Sequence, residues 1–291
     1  MYDQASGLRK LAQEKKSSAK TIVITSGKGG VGKSSFAVNF ALSLGKKGKR
    51  VAILDADLGL ANLDLLLGMS ATYNLKHLLE GQKRLSEIIL SAPYGVKLIP
   101  GGSGIVELAN LSELKLKGLI EAFGVLDPYL DYFIIDTGAG INKQVLAFAL
   151  AADEVFVVTT PEPTAQADAY GIINVLQKGN LALPVNIVVN QADSIFHGEM
   201  VYQRLKLICK KFAAKDVGLI GIIPSDITVS KAIRHQVPLI IYQPKSKAAV
   251  AIDQAASCYL AISASTLSEK NQVSTHKGFS GFLERMARLL R

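Results

Sequence analysis

The chain has 291 residues, 49% of them hydrophobic, and a formal net charge of +9. It has no N-terminal apolar stretch of signal-peptide type and no run of about 18 apolar residues, which excludes a secretion signal and a spanning helix. What fits is one large α/β domain with a well-buried core, placed in the cytoplasm, with any membrane contact peripheral. Cys209 and Cys258 lie far apart in helix-like runs and read as buried free thiols of a reducing compartment. The positive charge suits an anionic partner such as nucleotide, nucleic acid or lipid headgroups. It is not gathered into one block, so ordinary surface lysine explains it equally well.

Residues 1–20 are polar and basic, with a short helical pattern. From Thr21 onward, short β-branched runs alternate with helical patterns. The runs are Thr21–Ser26, Arg50–Asp55, Val96–Pro100, Tyr132–Asp136, Glu154–Thr159, Val185–Asn190 and Leu219–Ile223. Helical segments include Lys33–Lys47, Gln166–Lys178 and Gly198–Ala213. Several runs are apolar throughout, as strands buried on both faces should be. The alternation predicts a doubly wound, mostly parallel sheet covered by helices, with ligands bound outside the carboxyl ends of the strands. Residues 264–277 lack periodicity and read as a linker. Beyond them Phe279, Phe282, Leu283, Met286, Leu289 and Leu290 fall on one helix face, with Arg285, Arg288 and Arg291 at the flanks or opposite. Apolar bulk with flanking arginine predicts a helix of residues 278–291 lying in the plane of an anionic membrane surface. A helix docked on the core has the same periodicity.

The stretch Gly27-Lys28-Gly29-Gly30-Val31-Gly32-Lys33-Ser34 follows the first strand and opens the first long helix, with Ser35 next. Its glycines let successive N–H groups turn toward an anion, and the helix adds the positive end of its dipole. This is a phosphate loop, in which Lys33 reaches the β- and γ-phosphates and the Ser34 hydroxyl binds Mg²⁺. Lys28 is not needed for that cradle. The loop resembles the deviant phosphate loop of the MinD/ParA class of P-loop ATPases. The resemblance implies that Lys28 reaches across a homodimer to the partner's nucleotide, a cation supplied in trans during phosphoryl transfer. It also implies that Asp57, in Leu54–Asp64, positions the attacking water and helps hold Mg²⁺. Asp55 would support the site, and Asp136, in Phe133–Gly140, would hold Mg²⁺ through water. Gly138 to Gly140 would form a second switch. A comparably placed Asn190 would contact adenine, with Pro224 beside the base. The implied cofactors are ATP and Mg²⁺.

Asp3, Gln4, Ala5, Leu8 and Arg9 resemble the motif that begins flagellar-number regulators of the FlhG/FleN type, which are MinD-like. That likeness implies that residues 1–20 stimulate an SRP-like flagellar GTPase of the FlhF type. Flagellar C-ring proteins or a flagellar transcription regulator are further implied partners. Residues 21–263 would be the ATPase domain. A division-site MinD, a ParA-type partition ATPase and an adaptor without turnover are the rival readings.

Overall fold

The computed structural model describes residues 19–57, 62–105, 113–269 and 278–290. Eight strands form one sheet: β1 (Lys20–Ser26), β2 (Val51–Ala56), β3 (Leu90–Ser91), β4 (Lys97–Ile99), β5 (Tyr132–Ala139), β6 (Glu154–Thr159), β7 (Val185–Ala192) and β8 (Gly218–Pro224). Their order is β3-β4-β2-β5-β1-β6-β7-β8, and only the two-residue β3 runs antiparallel to its neighbour. Every residue of β2 and β6 is buried, which explains the continuous apolar runs Val51–Leu54 and Val155–Val158 within them. The seven expected strands all form, six of them within two residues of the expected ends, while β5 runs three residues past Asp136 to Ala139. β3 is too short to show alternation.

The long helices are α1 (Lys33–Lys46), α2 (Glu113–Gly124), α3 (Lys143–Ala151), α4 (Pro163–Gly179), α5 (Ile195–Ala213), α6 (Ile227–Arg234), α7 (Lys247–Glu269) and α8 (Gly278–Leu290). Alternate strand residues face opposite layers. Ile22, Ile24, Ile53 and Phe156 pack with Phe36 and Phe40 of α1 and Tyr259 of α7. Val23, Leu54, Phe133 and Val157 pack on the other face with residues of α2, α3, α4, α5 and α8.

The carboxyl-terminal region differs from expectation in two ways. Helix α7 continues through residues 264–269, the first part of the stretch read as a linker; residues 270–277 lie outside the described ones. The stripe on α8 belongs to the core and is not presented to a membrane. Phe279, Phe282, Leu283 and Met286 are at most 2% exposed. Phe279 stacks on Phe133 of β5 with ring centroids 3.9 Å apart and leans on Phe123 of α2 at 4.4 Å. Phe282 meets Phe148 of α3. Leu290 packs partly buried against the same cluster, and only Leu289 of the stripe is exposed. The physical reason is the aromatic face formed by Phe123, Phe133 and Phe148, which needs an apolar cover. Polar anchors fix the helix there. The N–H groups of Phe279 and Ser280 donate to the Asp127 carboxylate, Arg285 donates to the Ala151 carbonyl and to Asp153, and Lys143 donates to the Leu290 carbonyl. Asp3, Gln4, Ala5, Leu8 and Arg9 lie outside the described residues.

Candidate active site

The ends of β1, β2, β5 and β7 bring the expected residues together. The phosphate loop joins β1 to α1. Gly30 and Gly32 take φ of +82° and +83°, a left-handed backbone that favours glycine. Side chains are excluded for a second reason: a Cβ on Gly27 would collide with the backbone of Asp168 on α4, and one on Gly32 with the Asn190 amide.

Lys33 opens α1 and is almost wholly buried. Its ammonium donates to Asp136 Oδ1 at 2.7 Å and lies 3.2 Å from Ser34 Oγ and 4.0 Å from Asp57 Oδ2. Asp136 is fully buried at the middle of β5. Burial pushes its carboxyl above the usual carboxylate range, and the neighbouring Lys33 opposes that shift. Its second oxygen, Oδ2, is buried without a hydrogen-bond partner. A buried, unsatisfied carboxylate oxygen beside a hydroxyl and a second carboxylate fits a hard cation. Among the described residues no cluster of three acidic, His or Cys side chains forms. Mg²⁺ takes one or two carboxylates and completes its shell with phosphates and water. Ser34, Asp57 and Asp136 would hold it.

Asp55, one residue before the end of β2, acts as a clasp. Its carboxylate accepts from the N–H groups of Asn62, Leu63 and Asp57 at 2.9, 3.0 and 3.3 Å. Burial pushes its pKa up to about 6 despite these bonds. The clasp fixes both ends of the loop that carries Asp57.

Lys28 lies on the rim. Its ammonium pairs with Glu162 Oε1 at 2.6 Å and accepts no share of the cradle; it also donates to Thr164 Oγ1 at 3.0 Å. Glu162 and Thr164 follow β6 and were not singled out in the sequence, although the strand-end rule covers them. An exposed pair of this kind is screened by solvent and held weakly, so Lys28 is easily withdrawn. Lys28→Ala should therefore keep nucleotide binding, which rests on Lys33 and the loop N–H groups, and lose turnover by about 10²-fold or more. Nucleotide titration beside a phosphate-release assay checks this; normal turnover in the variant would mean that Lys28 has no catalytic part.

Asn190 faces the phosphate loop from β7. Its amide Nδ2 donates to the Val31 carbonyl at 2.7 Å, and Gln191, at φ +55°, donates to the Gly30 carbonyl at 3.4 Å. Both brace the phosphate loop from β7. Pro224 ends β8 opposite Ala192, which lies two residues beyond Asn190 in β7.

The sequence profile described as ParA, NUBPL iron-transfer P-loop NTPase, matches residues 17–259. The chain belongs to the ParA/MinD family of P-loop ATPases. Within this family it is 38% identical to Antiactivator FleN of Pseudomonas aeruginosa, over 80% of this chain and 83% of that one. It is 39% identical to Flagellum site-determining protein YlxH of Helicobacter pylori, over 88% and 90%. The septum site-determining protein MinD complexed with Mg-ADP, from Pyrococcus horikoshii, superposes with a TM-score of 0.66 at 25% identity, over 84% of this chain and 97% of that one. Like its ParA/MinD relatives, the chain is an ATPase. Among the described residues no helix is long and apolar enough to cross a membrane.

Proposed function

We propose that this ATPase is a nucleotide-controlled switch that sets flagellar number or placement. The observation that carries the reading is the likeness to FleN and YlxH over at least 80% of this chain and most of theirs. In the proposal ATP closes two copies face to face. Lys33 and the loop N–H groups hold the phosphates, while Ser34, Asp57 and Asp136 hold Mg²⁺, as the Mg-ADP complex of the MinD neighbour supports. The cation neutralises charge on the phosphates when bound. Asp57 orients the attacking water. Lys28 leaves Glu162 and reaches the nucleotide of the other copy, so turnover requires the dimer. Residues 1–20 stimulate an SRP-like flagellar GTPase. The paired iron–sulfur ligands that an iron-transfer role would use are not offered by Cys209, which is buried, or Cys258, which is exposed. Contact with an anionic membrane requires a state in which α8 has left its seat.

The test is Asp57→Ala with ATP and Mg²⁺. Without water activation the ATP-bound dimer should accumulate, and light scattering should report twice the monomer mass. A monomer at saturating ATP removes the switch. For the N-terminal segment, a peptide of residues 1–20 added to the GTPase should raise its turnover; no stimulation at saturation would leave a MinD- or ParA-like ATPase without the flagellar output.

A further inference from the structure

A cavity of about 630 Å³ opens between the short helical turns Leu75–Leu79 and Leu85–Ile88 and the carboxyl end of α2. Its apolar walls are Leu78, Leu85, Ile89, Val125, Leu126 and Tyr129. Val125 and Tyr129 are 72% and 67% exposed, an unusual cost for two large apolar side chains side by side. Lys83, Arg84 and Glu87 line the rim, so it offers both signs of charge. No described residue covers this groove, and the nucleotide site does not use it.

The chain itself supplies an occupant. Ala19 is fully buried in the same cluster as Leu79, Leu85, Ile88 and Phe123, so the chain enters β1 on the groove's side of the sheet. The Lys20 N–H donates to the Asp131 carbonyl, two residues beyond Tyr129. The described chain therefore begins, at Ala19, on the side of the sheet that carries the groove wall. From Ala19 back to Leu8 the chain reaches about 16 Å as helix and about 36 Å extended, enough to lay Leu8 and Leu11 over the opening. Leucines at i and i+3 are the anchors of a helix in an apolar groove. Arg9, Lys10 and Glu14 beside them suit a rim of mixed charge.

We infer that residues 1–18 dock in cis in this groove, with Leu8 and Leu11 between Leu85 and Tyr129. Gly7 weakens a free helix by about 1 kcal/mol, so the segment folds as it docks. If residues 1–20 act on a GTPase, a corollary that rests on the proposed function, that partner must first take the segment from this seat.

The test needs no GTPase. Leu8 is replaced in the full chain by a photoreactive phenylalanine analogue, and the nucleotide-free protein is irradiated as an equal mixture of isotopically light and heavy chains. Cross-links should map to the tryptic peptides of residues 85–97 or 118–143 and join only chains of one isotope. Val125→Asp places a charge at an exposed wall position without touching the nucleotide site; it should lower the cross-link yield about tenfold while leaving ATP turnover unchanged. Cross-links elsewhere, mixed-isotope products or a yield indifferent to Val125→Asp would each overturn docking in cis. The last two outcomes separate a second copy from random contact, and neither bears on whether the segment stimulates a GTPase.

Discussion

Lys33→Ala should abolish ATP binding and also lower the melting temperature of the nucleotide-free protein. The first loss follows from the proposed cradle: turnover should fall to background, about 10³-fold or more, because the variant removes the cation proposed to meet the β- and γ-phosphates. The second follows from the 2.7 Å contact with Asp136, which is 0% exposed and has no other charged donor among the described residues. Breaking a buried pair by removing one partner costs about 3–5 kcal/mol. At roughly 2–4 °C per kcal/mol for a large domain, the melt should shift by about 10 °C. A second substitution separates the two losses. Lys33→Ala with Asp136→Asn removes the stranded charge, so most of the lost melting temperature should return while turnover stays at background. An unshifted melt in Lys33→Ala would show that Asp136 is neutral or solvated without Lys33.

Phe282→Asp should expel α8 from its seat without unfolding the domain. Burying Phe279, Phe282, Leu283 and Met286 contributes about 2 kcal/mol each, near 8 in sum. Ordering a helix of 13 residues costs conformational entropy of the same order, which opposes that gain. The docked margin is thus small, and an unpaired carboxylate between Phe148 and Phe279 exceeds it. Trypsin should then cut at Arg285 and Arg288 about tenfold faster or more, the melt should fall by only a few degrees, and ATP turnover should persist. The freed helix should also sediment with anionic liposomes, since its apolar face and arginines are then available. Unchanged protease resistance would contradict the seat described here, and loss of all folded protein would make α8 an integral layer of the core.

The sheet was legible because its strands are buried on both faces, which leaves β-branched runs such as Ile22–Ile24 and Val155–Val158 unmistakable. The phosphate loop was legible for the same kind of reason: Gly30, Gly32, Lys33 and Ser34 each answer a local requirement. The roles that depend on distant neighbours were not. Nothing local in Asn190 says that its amide braces the Val31 carbonyl. Nothing local in Lys28 says that Glu162 holds it. The stripe on α8 shows that a face is apolar, and a periodicity has no term for what lies opposite it; only Phe123, Phe133 and Phe148 decide between core and membrane.

The same distance in sequence governs how the molecule must assemble. Lys33 meets Asp136 across 103 residues and Asn190 meets Val31 across 159. Central strand β1 pairs with no strand nearer in sequence than β5. Such non-local closures are slow and come late in folding. The nucleotide site thus has no early, partly built version. A chain that has captured ATP has already closed its central sheet, and the ligand's stabilisation falls on that state alone. Nucleotide occupancy in this fold is at once a signal of switching and a certificate that folding is complete.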